Sequence, residues 1–227
     1  MDKQEILEKW NKVPELLRDI IEALVAVVII IIILKVVLGS KLLMPIVVVI
    51  SGSMLHEPGD DSWNTWLTGH GVTGQQISNF PLQDGFARGD MIVTMRPDVK
   101  LGDVVVYNRD PAHNSQRSEP IIHRVVGVVT IEDSNVAVEG TTDCWSKDKI
   151  LGYAQSNSGY SGKGNPDKLV FYITKGDHNA VSDQCGNIAF PVSEEQLLAK
   201  TFIKIPKIGY LKLCMFDPLH CLDSQEK

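Results

Sequence analysis

Three kinds of residue in this 227-residue chain have the chemistry that acyl transfer requires: a serine on a small turn, a histidine in an apolar run, and two aspartates in a glycine-led loop. Ser53 sits in Ile50-Ser51-Gly52-Ser53-Met54, delivered by the run Pro45-Ile46-Val47-Val48-Val49-Ile50. Gly52 lets the backbone approach a bound group and frees Ser53 to project from the strand end. Serine alone is a poor nucleophile and needs a base, which in turn needs an orienting partner. His123 lies in Ile121-Ile122-His123-Arg124-Val125-Val126, where an imidazole costs desolvation unless it is paired. Asp177 and Asp183 stand six residues apart in the loop that opens Lys175-Gly176-Asp177-His178-Asn179. In a Ser–His–Asp arrangement the acid holds the imidazole's tautomer while the other ring nitrogen takes the hydroxyl proton, whatever the chain order. Each feature also has an ordinary structural explanation. Ser-Gly-Ser is a common turn, a core histidine can bond to a backbone carbonyl, and an aspartate can cap a loop. His56, His70, His113, His178 and His220 lie in polar loops without metal-ligand spacing, so neither a metal nor a cofactor is expected.

The elements that must position these residues read as mainly β. Short apolar runs at 90–95, 104–107, 120–129 and 169–174 are punctuated by Gly, Pro, Asn and Asp. Residues 55–85 form a long polar excursion with one short helix, in which Trp63 and Trp66 are read as a local core. Residues 146–167 are dense in Gly, Ser, Asn and Lys and read as a mobile insertion. Ser193 to Leu198 reads as a short helix opened by a serine cap. Residues 200–213 read as a closing strand pair broken at Pro206 and Gly209.

Ahead of this domain, residues 20–38 are apolar except for Glu22 and Lys35. Nineteen residues at ~1.5 Å each approach the ~30 Å hydrocarbon core of a bilayer. Lys3, Lys9, Lys12 and Arg18 precede the run and only Lys41 closely follows it, which predicts a cytoplasmic N-terminus. The predicted organisation is a cytoplasmic segment over 1–19, an uncleaved anchor over 20–39, and an extracytoplasmic domain over 40–221. The first segment is expected to be an amphipathic helix interrupted or restarted at Pro14. A cleaved leader is the rival, but the acidic residues among those lysines match one poorly. Net charge −6 argues against nucleic acid as a partner. Cys144, Cys185, Cys214 and Cys221 form no Cys-x-x-Cys pair; a Cys144–Cys185 bridge and free buried thiols both remain open.

Five blocks in order behind this apolar segment resemble the type I signal peptidases of the archaeal and endoplasmic-reticulum branch. They are Ser51-Gly52-Ser53-Met54; Arg88-Gly89-Asp90-Met91-Ile92-Val93; Leu101-Gly102-Asp103-Val104-Val105-Val106-Tyr107; Pro120-Ile121-Ile122-His123-Arg124-Val125; and Thr174-Lys175-Gly176-Asp177-His178-Asn179-Ala180-Val181. The resemblance implies a signal-peptidase-like β domain of short antiparallel strands and a serine endopeptidase that removes signal peptides from exported preproteins. It implies Ser53 as nucleophile, His123 as general base, Asp183 as orienting acid, and Asp177 as a second acid of the same loop. Ser51 and the Ser53 N–H are similar to the family's oxyanion donors. The leader would bind extended along the 46–50 or 90–95 edge, near Ile50, Met54, Met91 and Val93. Implied partners are preprotein signal peptides, the lipid bilayer and the protein-export channel. The implied location is the cell membrane, or the endoplasmic reticulum membrane in a eukaryote. The chain departs from the pattern where Leu55 and His56 precede Glu57-Pro58, where residues 60–85 are inserted, and at His178 and Ser182. A non-catalytic peptide-binding module tethered to a membrane, or a self-processing serine protease of related fold, would use the same elements differently.

Overall fold

The computed structural model describes residues 13–109, 119–132, 135–156 and 168–216, with no side-chain placement for 211–213. The first twelve residues of the expected cytoplasmic helix, residues 157–167 of the second insertion, His113, His220 and Cys221 lie outside the described residues. The chain divides into two units, residues 1–39 and 40–227.

In the first unit, helix α1 spans Glu15–Leu38. Pro14 stands at its N-cap, where a missing N–H costs nothing, and Gly39 closes it in the left-handed conformation with φ 64°. At 24 residues it is long and apolar enough, by length and composition, to be a membrane span or a signal sequence. Its ~36 Å length exceeds the ~30 Å apolar thickness of a bilayer.

The second unit is mainly antiparallel sheet. Its strands are β1 (Ile46–Val48), β2 (Met91–Met95), β3 (Val104–Tyr107), β4 (Ile121–Glu132), β5 (Asn135–Gly140), β6 (Lys168–Lys175), β7 (Val192–Ser193) and β8 (Leu197–Ile205). They run in the order β1-β2-β8-β3-β4-β6-β7, with β5 pairing on β4. The twelve-residue β4 is the spine: it pairs with β3 at its start and with β6 and β5 further on. Eight of its twelve residues are buried, because side chains cover both faces of it.

Four expectations change. The 55–85 excursion holds two helices, α2 (Ser62–Gly69) and α3 (Gly74–Ile77), the second opened by a capping box between Thr73 and Gln76. Residues 147–156 of the presumed mobile insertion form helix α4, Lys147–Ser156, which buries Ile150 and Ala154. Ser193 to Leu198 is a tight connection between β7 and β8, not a helix: Gln196 Oε1 accepts from the Ser193 N–H and Ser193 O accepts from the Gln196 N–H. The serine signal was real, but the alternating burial from Leu197 onward belongs to a strand. β8 then runs unbroken to Ile205, and Gly209–Phe216 forms helix α5 in place of a closing strand. Strand β5 escaped the sequence reading because its Asn-Val-Ala-Val-Glu-Gly pattern is short and half exposed.

Three apolar clusters hold the sheet. The largest joins Trp63, Leu67, Ile77 and Phe80 of the first insertion and Ile150 of α4 to Val126, Val129, Phe171 and Ile173 of β4 and β6. The excursion is therefore core: each large side chain it buries is worth ~1.5–3 kcal/mol of transfer free energy. Gly102, at φ 89°, marks the closest approach, because a Cβ there would fall within 2.1 Å of the Phe80 ring. The smallest cluster, Val49, Met54, Phe86, Ile92 and Val104, lies beneath the Ser51–Ser53 turn.

Candidate active site

The Ser53 turn is pinned from several directions through its flanking backbone and the Ser53 carbonyl. Val49 N–H donates to Asp90 O and Val49 O accepts from Gly89 N–H, which extends the β1–β2 pairing up to the turn. Met54, 1% exposed, anchors the far side: its carbonyl accepts from Phe86 N–H, and its Sδ lies 3.4 Å from Asp177 N. The Ser53 carbonyl accepts the His178 N–H at 2.9 Å, so the acidic loop itself clamps the serine.

His123 reaches the turn from the start of β4, where it stands opposite Val105 of β3. Its Nε2 is 2.9 Å from Ser53 Oγ, and its Nδ1 is 2.7 Å from Asp183 Oδ2 and 2.9 Å from Oδ1. Asp183 is fully buried and is fixed through its backbone, donating to Thr174 O and accepting from Ile188 N–H. Its Oδ2 also accepts from the Tyr107 hydroxyl at 2.8 Å and the Thr174 hydroxyl at 2.7 Å. Burial foremost, and then the Asp183 charge, push the Tyr107 phenol well above its ordinary range, so it stays a proton donor. Gly176 passes close to the imidazole: a Cβ there would lie 2.7 Å from Ser53 O and 2.9 Å from His123 Nε2. Only glycine fits.

Such an arrangement can activate a serine through a general base. Nε2 can take the hydroxyl proton, and a buried carboxylate can hold Nδ1–H and offset the charge of the imidazolium. Ser51 Oγ lies 3.3 Å from Ser53 Oγ. The Ser53 N–H donates to no protein atom among the described residues. Both groups have donor capacity that a bound acceptor could use.

Asp177, six residues from Asp183, has different partners. Its carboxylate accepts two hydrogen bonds from Arg124 Nε and Nη2, at 2.9 and 2.8 Å, and lies 3.0 Å from His56 Nε2. Burial pushes its pKa up, but the Arg124 guanidinium and the His56 hydrogen bond outweigh that and hold the carboxyl below the usual carboxylate range. Arg124, fully buried, spends its remaining donors on the carbonyls of Pro81, Leu82 and Gly102, and its guanidinium lies 5.3 Å from the Trp63 ring centre. His56 stacks on the same Trp63 at 5.0 Å. Lys175 Nζ donates to the Gly176 and Asp177 carbonyls and sits 4.8 Å from the Trp66 ring centre. Burial lowers its basicity, and the neighbouring Asp177 and Asp183 only partly offset that.

A groove of about 770 Å³ opens on Ser53 and His123, walled by Val47, Ile50, Ile122 and Ile188 with Asn179 and Asn187 at its rim. Among the described residues β1 is an edge strand that pairs with β2 alone, which leaves its other side available to an added strand. Ile50 lines the groove and is 57% exposed. Three of the expected leader contacts lie elsewhere. Met54 is core, and Met91 and Val93 belong to β2, whose two edges are taken by β1 and β8. The 90–95 strand therefore offers no edge for a peptide.

A disulfide joins Cys144 to Cys185, two residues past Asp183. Asp143 Oδ2 accepts from Ser182 N–H in the same corner. Among the described residues no group of three or more His, Cys, Asp and Glu side chains could hold a metal. Sequence reasoning missed Tyr107, Thr174, Arg124 and His56. Two of these carried a signal: a phenol and a guanidinium inside buried runs each require a partner. His56 had none, since its polar neighbours suggest a solvated loop.

Comparison of the chain with protein-family models found no match, and comparison with curated proteins found none either.

Proposed function

We propose that this protein is a membrane-anchored serine endopeptidase of the Ser–His–Asp type, with a signal-peptidase-like β domain, that cleaves N-terminal signal peptides from exported preproteins. The observation that carries the reading is the unbroken relay from Ser53 Oγ through His123 to the buried Asp183, at 2.9 and 2.7 Å, at the wall of an open apolar groove. In this reading Ser53 attacks the carbonyl at the end of the leader. His123 takes the proton and returns it to the leaving amine, and Asp183 holds the imidazole. Ser51 and the Ser53 N–H receive the oxyanion; losing one such donor costs ~10²–10³ in rate. The leader lies extended beside β1, with small side chains filling the space near Ile50 and Ile122. Fourteen residues, 39–52, separate the apolar α1 segment from Ser53, a tether suited to bonds that emerge at a bilayer surface. The Cys144–Cys185 bridge suits an oxidising compartment outside the cytoplasm.

The test is cleavage of a preprotein by the detergent-solubilised full chain, with sequencing of the new N-terminus. Wild type cuts after a small residue, whereas Ser53→Ala and His123→Ala leave the preprotein intact. Cleavage that survives both substitutions, or none by wild type, overturns the reading.

A further inference from the structure

Asp183 is held by more than its backbone. It has no solvent exposure, and three side-chain donors converge on its Oδ2: His123 Nδ1 at 2.7 Å, Tyr107 OH at 2.8 Å and Thr174 Oγ1 at 2.7 Å. A buried carboxylate without such donors is costly, and hydrogen bonds to an ionised acceptor are the strong ones. Thr174 is in turn locked, because its N–H donates to Gln184 Oε1 at 3.0 Å and its Oγ1 lies 3.4 Å from Gln184 Nε2. Tyr107 and Thr174 come from β3 and β6, on the two sides of β4 from which His123 projects. Neither hydroxyl has any exposure to the groove, since both residues are fully buried.

We propose that Tyr107 and Thr174 are positioning residues for the His123–Asp183 pair, setting both the direction and the strength with which the carboxylate grips the imidazole. This rests on the serine-protease reading above. The two hydroxyls aim the carboxylate at Nδ1, so the tautomer with a bare Nε2 faces Ser53. They also draw charge from Oδ2, which moderates how strongly Asp183 favours the imidazolium. Too strong a grip would leave His123 protonated and unable to accept from Ser53. The charged groups nearest the pair are Lys175 on β6, which acts on Asp183, Arg109 beyond β3, which acts on Tyr107, and Glu119, which lines the groove with His123. All of them are retained when a hydroxyl is removed, so any change in titration reports the lost hydroxyl.

The sign follows from charge. Removing a donor concentrates negative charge on Asp183 and stabilises the imidazolium. The acid limb of kcat/KM, and the pH at which the His123 resonances move, therefore go to higher pH in Tyr107→Phe and Thr174→Val. kcat falls about tenfold with KM unchanged, because substrate touches neither residue. Thr174→Ser restores both, since it returns the hydroxyl. The experiment follows the His123 imidazole resonances of the full chain in detergent across pH, assigned by their loss in His123→Ala, alongside preprotein cleavage. A raised midpoint with rescue by Thr174→Ser supports the cradle even if no preprotein is cut, which would count against the protease reading alone. A midpoint unchanged in both Tyr107→Phe and Thr174→Val overturns the cradle even if wild type cleaves normally.

Discussion

The acidic loop carries two histidine–aspartate pairs built for opposite ends. Asp183 faces neutral hydroxyls and an imidazole that opens onto Ser53 and the groove, so its charge remains available to a proton in motion. Asp177 faces a guanidinium that grips both its oxygens, and His56, its histidine, is stacked against Trp63. Its charge is already matched. The same two side-chain types thus make a relay when the carboxylate's other partners are neutral, and a tie when one of them is a cation. The tie also explains how the 55–85 excursion stays docked: Arg124 holds Asp177 and the Pro81 and Leu82 carbonyls at once.

The contrast can be broken from the side of the tie. Arg124→Met leaves Asp177 buried with only the His56 imidazole as a side-chain partner, and removing the cation of such a pair costs ~3–5 kcal/mol. Thermal unfolding should show the largest loss of any single change in the domain, accompanied by release of the excursion to proteolysis. A near-native melting temperature would mean that Arg124 is not the tie. The link between the two pairs is Gly176, where a methyl group must displace Ser53 O or His123 Nε2. Gly176→Ala should lower kcat ~10²-fold, the scale of a misplacement of about 1 Å, with a smaller loss of melting temperature than Arg124→Met because overpacking costs ~1–3 kcal/mol.

A smaller and subtler difference appears with pH. The Asp177 carboxyl is held below its ordinary 3.8, so its contribution to stability is complete above that value and is lost as pH falls through its lower folded value. Wild type should lose stability more steeply below about pH 4 than Asp177→Asn, as read from melting temperatures at pH 3 and pH 6. Parallel losses in the two proteins would show that the acid-side instability arises elsewhere.

Much of this arrangement was legible beforehand, and the reasons are specific. The strands that place His123 and the Ser53 turn announced themselves by β-branched runs with turn residues between them. His123 stood out because a polar group inside such a run needs a partner, whereas Ser53, Asp177 and Asp183 read equally well as turn and cap residues and drew their roles from the resemblance of the five blocks. The partners themselves were hidden by distance along the chain. Nothing in Leu55-His56-Glu57 shows that His56 meets a carboxylate 121 residues later. The two short helices of the excursion were blurred because their apolar residues are few, and their core is completed only by β4 and β6. Asp177 and Asp183 could not be told apart by spacing alone. The difference lies in what packs behind each: Arg124 on one, and Tyr107 and Thr174 on the other.

The most direct measurement compares Asp183→Asn with Asp177→Asn in the full chain, scoring preprotein cleavage per folded molecule and melting temperature together. If the relay and the tie are separate, Asp183→Asn loses cleavage by ~10⁴-fold while staying folded, and Asp177→Asn melts earlier yet keeps cleaving. Cleavage retained by Asp183→Asn, or abolished in folded Asp177→Asn, would contradict the division of labour between the two aspartates.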